Sequence, residues 1–321
     1  MHYEYHLVSD KGSDRATSYP HANKAITIDG KTHIVWTDTV ALTQARTFDH
    51  ATGRWTPTVT IGKGCDNHND PCLAIGADKR LHLAYGPHGP YDQVHQTCVW
   101  PTGAFHYCVA PNPGSWTGVG NINQAYFGYQ GTYASLAGTP SGFDCIAYRG
   151  GEHPPAVMFQ RQTPSGGWSN AVTLLHQVIE PGYTFYNALL ISRADGRLYL
   201  GANFYAMPRG HSLGVGMIMS DDLGATWQNV RGKKLALPAE YSQTIAVPHG
   251  SPAADPRICG LAIDAEGRPW ILTVTNSTAD YKALLSTPAG RTWRTIDLTL
   301  LLPAPWGASH GTMTIDAQNR I

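Results

Sequence analysis

Charge is scarce in this chain. Only 14% of its 321 residues are charged, against 42% hydrophobic, and 23 Lys and Arg offset 23 Asp and Glu to a formal net charge of zero. That balance leaves no electrostatic footprint for nucleic acid or an anionic membrane surface. Long apolar runs are missing as well. None approaches the ~18 residues of a membrane span, and no sustained 3.6-residue periodicity marks a long amphipathic helix. The N-terminus lacks the basic and apolar regions of a secretory signal, so an export signal is expected to have been removed or never to have been present. Zinc-ribbon spacing is absent among Cys65, Cys72, Cys98, Cys108, Cys145 and Cys259. These six leave two readings open: disulfides Cys65–Cys72 or Cys98–Cys108, or buried free thiols.

What the sequence has in quantity is Gly (34), Pro (22) and His (15). Glycine and proline at that level, without helical periodicity, predict many short strands joined by turns. Six stretches read as strand, tight polar turn, strand: residues 25–38, 73–85, 134–149, 188–205, 260–275 and 312–321. Their turns carry Asp29-Gly30, Asp78-Lys79, Asp195-Gly196, Glu266-Gly267 and Gln318-Asn319, types that tolerate positive φ. Trp55, Trp116, Trp168, Trp227 and Trp293 fall between the hairpins, 61, 52, 59 and 66 residues apart. A repeat of about 50–65 residues with two hairpins and a tryptophan predicts one four-stranded propeller blade. Ser220-Asp221-Asp222-Leu223-Gly224-Ala225-Thr226-Trp227 matches the Asp-box turn Ser-x-Asp-x-Gly-x-Thr-Trp in full, and residues 286–293 repeat it with Pro288 in place of Asp. The expectation is an all-β protein, a β-propeller of four-stranded antiparallel blades. Without an internal linker, residues 1–321 form one domain. An up-and-down sandwich competes, but regular hairpin–tryptophan alternation favours the propeller. The sixth unit stops inside its second strand, so the last blade is expected to be incomplete and the protein truncated at its C-terminus.

In a propeller the first strand of each blade lines the axis and the second returns beside it. The start of one and the end of the other therefore share a face. Starting positions are His21, His68, Tyr133, Tyr186 and His310; ending positions are Asp38, His88, Arg149, Tyr205 and Asn276. The second and third blades thus bring His68, His88, Tyr133 and Arg149 to one rim. A guanidinium pairs with a carboxylate, an imidazole exchanges a proton near neutrality, and a phenol can protonate a leaving oxygen. Together they suit β-elimination from a uronic acid. Hydrolysis would call for paired carboxylates; Asp66 and Asp70 flank His68 but need not converge. Asn67 and Tyr186 are further candidates for sugar contacts, with Tyr205 beside them.

Asp66-Asn67-His68-Asn69-Asp70-Pro71, Gly86-Pro87-His88-Gly89, Gly131-Thr132-Tyr133-Ala134 and Ala147-Tyr148-Arg149-Gly150 resemble BNR-4-type propellers. The likeness is strongest to the ulvan lyases of polysaccharide lyase family 25, and it extends to residues 18–22 and 32–38. That resemblance implies a seven-bladed ring and a lyase acting on a sulfated, uronate-containing glycan. It implies His68 and Tyr133 as the proton-transfer pair, with His68 assigned as base, Tyr133 as acid and the reverse left open. His88, Arg149, Asn67 and Tyr186 then bind substrate. No cofactor is required for the chemistry. Family members carry a structural zinc, for which His211, His249 and Cys259 are candidates without assigned ligands. The protein is expected to be a monomer, secreted or periplasmic, whose partner is an acidic polysaccharide rather than nucleic acid or membrane. Two other classes stay in view: a propeller glycoside hydrolase of the rhamnosidase or sialidase kind, and a non-catalytic glycan-binding propeller.

Overall fold

The computed structural model describes residues 4–320 except 65–66, 69–70, 87–90, 93–96, 99–104, 120–124, 128–130, 151–155, 177–181, 185–188, 207–210, 245, 248–254, 276–280, 302–312 and 317. Among these residues the only helix is the single turn Tyr241–Thr244. The rest of the regular structure is antiparallel strand. Five successive sheets of four to six strands follow one another along the sequence, and a two-stranded ribbon, Tyr91–Asp92 with Thr97–Cys98, falls within the stretch of sequence that forms the second. The protein is a β-propeller of four-stranded antiparallel blades, as its repeat predicts.

Each sheet contains a predicted hairpin: Ala25–Ile28 with Lys31–Thr37, Cys72–Ile75 with Leu81–Tyr85, Thr132–Ala137 with Cys145–Gly150, Leu189–Ser192 with Leu198–Ala206, and Pro256–Ile263 with Pro269–Thr275. The first turn is the two-residue Asp29-Gly30, both residues at positive φ (48° and 71°). This is the conformation that matches strand twist in a tight hairpin. Three others share a longer device. Gly76, Arg193 and Asp264 each donate N–H to the carbonyl four residues on, and Lys79, Gly196 and Gly267 donate back. Those last three all have positive φ (61°, 86° and 80°).

Of the sixth predicted hairpin, residues 312–321, the described residues form the turn alone. Asp316 and Arg320 close the same turn, with Asn319 at φ 61°, but no strand flanks it among the described residues. A turn of this kind closes on local hydrogen bonds, whereas a strand pair needs a ladder on both sides. Instead Asn319 docks on the fifth sheet, accepting from Ala265 N (3.0 Å) and donating to Glu266 Oε2 (3.1 Å).

The core lies between successive sheets. Val35, Ala45, Leu73 and Leu83 join the first to the second; Ala74, Phe105, Leu136 and Tyr148 join the second to the third. Ala147, Phe159, Leu200, Phe204 and Trp227 fill the third interface, and Met217, Ile258 and Ile271 the fourth. Strands near the axis are covered on both faces, so Leu81–Tyr85, Thr132–Ala137 and Pro269–Thr275 are buried throughout. The outer strand Thr292–Asp297 is mostly exposed.

Cys72, Cys108 and Cys145 are buried free thiols, and Cys259 is buried in the fifth sheet. The disulfides Cys65–Cys72 and Cys98–Cys108 are therefore not formed. Cys72 Sγ instead accepts a 3.0 Å hydrogen bond from Leu136 N of the next sheet. Burial holds the Cys72 thiol above its ordinary value, which disfavours the thiolate that disulfide formation needs.

Candidate active site

Two loops and one strand pair meet at one end of the second and third sheets. The residues leading into Cys72–Ile75 carry Asn67 and His68. The start of Thr132–Ala137 carries Tyr133, and the end of the paired strand Cys145–Gly150 carries Arg149. Thr132 pairs with Arg149 across the ladder, and the register then slips before Ser135. That bulge holds Tyr133 at φ 55°, an uncommon conformation for a bulky residue, and turns its ring inward. Tyr133 is only 3% exposed, while His68 and Arg149 are half-buried.

Three of the four residues expected at one rim meet. The His68 and Tyr133 rings meet edge-on at 6.3 Å between centroids, and Arg149 Cζ sits 5.5 Å from the Tyr133 centroid. His21, predicted at the equivalent place in the first sheet, joins them. It is 1% exposed and meets Tyr133 edge-on at 5.4 Å. Asn67 also lies here, its Nδ2 donating to Asp14 Oδ1 at 2.8 Å. Asp38 takes a different role. Its carboxylate accepts from Val40 N, Leu42 N and Gln44 Nε2, all at 2.9 Å, and so shapes a turn. Tyr205 is buried where Leu198–Ala206 pairs with Gly182–Thr184. His88, Tyr186, Asp66, Asp70, His310 and Asn276 lie outside the described residues.

Two residues of the cluster were not singled out from the sequence. Tyr19, at φ 71° and buried, packs against Tyr133 (5.0 Å between centroids), His21 (5.6 Å) and His68 (stacked, 6.2 Å). Arg15 Nη1 contacts both Tyr19 Oη and His68 Nε2, with Arg15 Cζ 5.8 Å from the Tyr19 centroid. Tyr19 had a signal, since it precedes the first strand much as His68 precedes the second. Arg15 had none, because a loop laid sideways over its neighbour obeys no strand period.

Backbone and side-chain ties hold the arrangement. Leu73 N donates to Asn23 O at 2.8 Å, and Lys24 Nζ donates to Pro71 O at 3.0 Å, where the His68 loop enters its strand. Burial pushes the Lys24 ammonium down to about 7, against the pull of the Cys72 thiol. The cluster therefore combines an imidazole, a buried phenol and two guanidinium groups, with aromatic faces between them. Such a set can hold an anionic sugar and move a proton on either side of it.

Among the described residues no group of three His, Cys, Asp or Glu is placed to hold a metal ion. Of the three zinc candidates only the Cys259 side chain is described, buried in the fifth sheet.

A family model described as BNR repeat-containing family member matches residues 17–300. Comparison with curated protein sequences finds no match. Among solved structures, an ulvan lyase of polysaccharide lyase family 25 superposes with a TM-score of 0.71 at 17% identity, over 89% of this chain and 73% of that one. A structure of such an ulvan lyase bound to -[GlcA(1-4)Rha3S]- gives a TM-score of 0.71 at 16% identity, with the same coverage. The polysaccharide lyase Uly1 gives 0.64 at 16% identity, over 97% of this chain and 78% of that one. At these identities the likeness is one of fold.

Proposed function

We propose that this protein, which belongs to the BNR repeat-containing family, is a polysaccharide lyase that cleaves a uronate-containing glycan by β-elimination. The observation that carries the reading is the convergence of His68 from the second sheet with Tyr133 and Arg149 from the third. A uronate carboxylate paired with Arg149 loses much of its negative charge, which makes the proton on the adjacent C5 more acidic. His68 removes that proton. The electron pair forms the C4–C5 double bond, the bond from C4 to the glycosidic oxygen breaks, and Tyr133 gives its phenolic proton to the departing oxygen. The products are one glycan with an unsaturated uronate at its new non-reducing end and another with a free hydroxyl at the leaving position. His88, Asn67 and Tyr186 complete the substrate contacts, and the chemistry calls for no cofactor.

The solved ulvan lyase bound to an oligosaccharide of glucuronate and sulfated rhamnose supports ulvan, or a similarly sulfated glycan, as the polymer. An enzyme for such a polymer meets it outside the cytoplasm, so we assign it as a secreted or periplasmic monomer. No helix among the described residues is long and apolar enough to cross a membrane.

The test is incubation with ulvan, pectin, alginate and heparan, followed by the ultraviolet absorbance of the conjugated uronate. Ulvan should give that absorbance, and His68→Ala and Tyr133→Phe should each lower its rate of appearance by ~10²–10⁴-fold. Shortened polymers without the unsaturated end would make the protein a hydrolase. Binding with unchanged polymer length would make it a lectin-like propeller. Near-wild-type rates in both variants would overturn the assigned roles.

A further inference from the structure

A guanidinium has N–H donors and no acceptor. Where Arg15 Nη1 meets His68 Nε2, the two groups are complementary only with the imidazole nitrogen as acceptor. That arrangement corresponds to the tautomer with its proton on Nδ1 and its one ring lone pair turned toward Arg15. A group in that state can take a proton and cannot give one. It agrees with His68 as the base and Tyr133 as the acid in the proposed reaction.

The same contact poses a problem, because the lone pair that must attack C5–H is covered. Arg15 reaches it from a segment tied to the His68 loop at one further point, Asp14 to Asn67. The guanidinium is half-buried and packs on Tyr19, whose ring touches the Tyr133 ring that Arg149 packs on. A carboxylate is a stronger partner for a guanidinium than a neutral imidazole, because both members are charged and the pairing can be bidentate.

We propose that Arg15 is an anion-drawn cap on the base. In the free protein it holds His68 as the neutral Nδ1–H tautomer. When a uronate enters, its carboxylate, with one oxygen on Arg149, draws the Arg15 guanidinium to the other and uncovers Nε2, which then accepts the C5 proton. A neutral sugar cannot draw the cap, so Arg15 is a positioning and specificity-determining residue for acidic glycans. The proposal rests on the lyase reading for its chemistry, but its test does not depend on turnover.

The experiment follows the imidazole ¹⁵N resonances of His68, assigned by comparison with His68→Gln. The probes are a β-1,4-linked glucuronate tetrasaccharide and cellotetraose, its carboxyl-free counterpart. The free protein should show His68 as the neutral Nδ1–H form with a hydrogen-bonded Nε2. The glucuronate oligomer should shift the Nε2 signal and cellotetraose should leave it in place. Arg15→Gln should shift it before any ligand is added and remove most of the glucuronate response, with KM for the acidic polymer raised about tenfold or more. A protonated or Nε2–H His68 in the wild type would overturn the proposal without any variant having to fold. So would an equal response to both sugars, or an Nε2 signal unchanged in Arg15→Gln. Absence of unsaturated product from the wild type alongside the expected ¹⁵N behaviour would count against the lyase reading and leave the cap standing.

Discussion

Tyr133 and Tyr19 are bulky residues held at positive φ (55° and 71°), and their rings touch. Such backbone costs of order 1–3 kcal/mol and persists only where the surroundings over-determine it, which happens most often at functional sites. Here the surroundings are a β-bulge on one side and a loop pinned by Asp14 and Arg15 on the other. A second buried histidine, His33, illustrates the contrary case of a group serving stability. It lies in Lys31–Thr37, shares a 2.8 Å hydrogen bond with Thr47 Oγ1, and is pushed down to about 4 by burial, with Lys31 adding to the effect. The unfolded protein takes up this proton near pH 6.5 and the folded one only near 4. Unfolding is therefore favoured progressively as pH falls through that window, by up to about 3 kcal/mol, and no further below it. Denaturant melts at pH 7 and pH 4 should show His33→Gln losing less stability on acidification than the wild type. Parallel losses would refute it. His68 was readable as a site residue because strand ends are readable. The fate of His33 was not, since burial is set by what the next sheet lays over it.

At the scale of the element, the Asp box forms the turn its sequence spells. Asp222 accepts from Thr226 N (2.8 Å), Thr226 Oγ1 (2.6 Å) and Ser220 Oγ (2.8 Å), and Trp227 Nε1 donates to Gly224 O. Partial burial would raise the Asp222 carboxyl, but these hydrogen bonds outweigh it and hold it below the ordinary aspartate range. Trp227, 1% exposed, then packs edge-on against Phe159 of the third sheet, 5.4 Å between centroids. Asp222→Ala should lower unfolding stability by about 1–3 kcal/mol through the stranded Thr226 donors. It should leave catalytic rate per folded molecule unchanged; an equal fall in rate would link this turn to the site. The degenerate copy behaves differently. With Pro288 in the aspartate position, Ala289 pairs with Thr292 and Pro288 with Trp293, so the ladder continues to a two-residue hairpin. A motif missing its carboxylate loses the acceptor that folds the turn, and strand pairing takes over.

For the whole molecule, polar contacts inside apolar interfaces rivet the junctions from the second sheet to the fifth. The second and third sheets share the His82 Nδ1–Asp144 Oδ2 pair at 2.6 Å, which Tyr107 Oη joins at 2.8 Å from the carboxylate. Burial, with Asp144 adding to it, drives the Tyr107 hydroxyl far above its ordinary value and keeps it a donor. Ser135 Oγ and Leu190 N, at 2.9 Å, join the third to the fourth. Asn203, fully buried, donates to Pro256 O (2.8 Å) and accepts from Ile258 N (3.0 Å), joining the fourth to the fifth. Asn203→Leu orphans two buried backbone groups, so denaturant unfolding should show a loss of about 2–6 kcal/mol, taking 1–3 for each. A loss below about 1 kcal/mol would mean that packing alone sets the junction. None of these rivets was legible beforehand, because their partners lie in different repeats and follow no common spacing. The sequence alone determined the repeating hairpins, their turn types and the propeller class, since these depend on neighbours within a few residues. It also brought His68, Tyr133 and Arg149 to one rim, since strand direction follows from hairpin order. Only the tertiary structure decided that Arg15 covers His68, that Tyr19 walls the cluster, and that Cys72 stays a thiol. Those outcomes depend on which surfaces meet when separate sheets stack, and that is settled by packing across the interface rather than by spacing along the backbone.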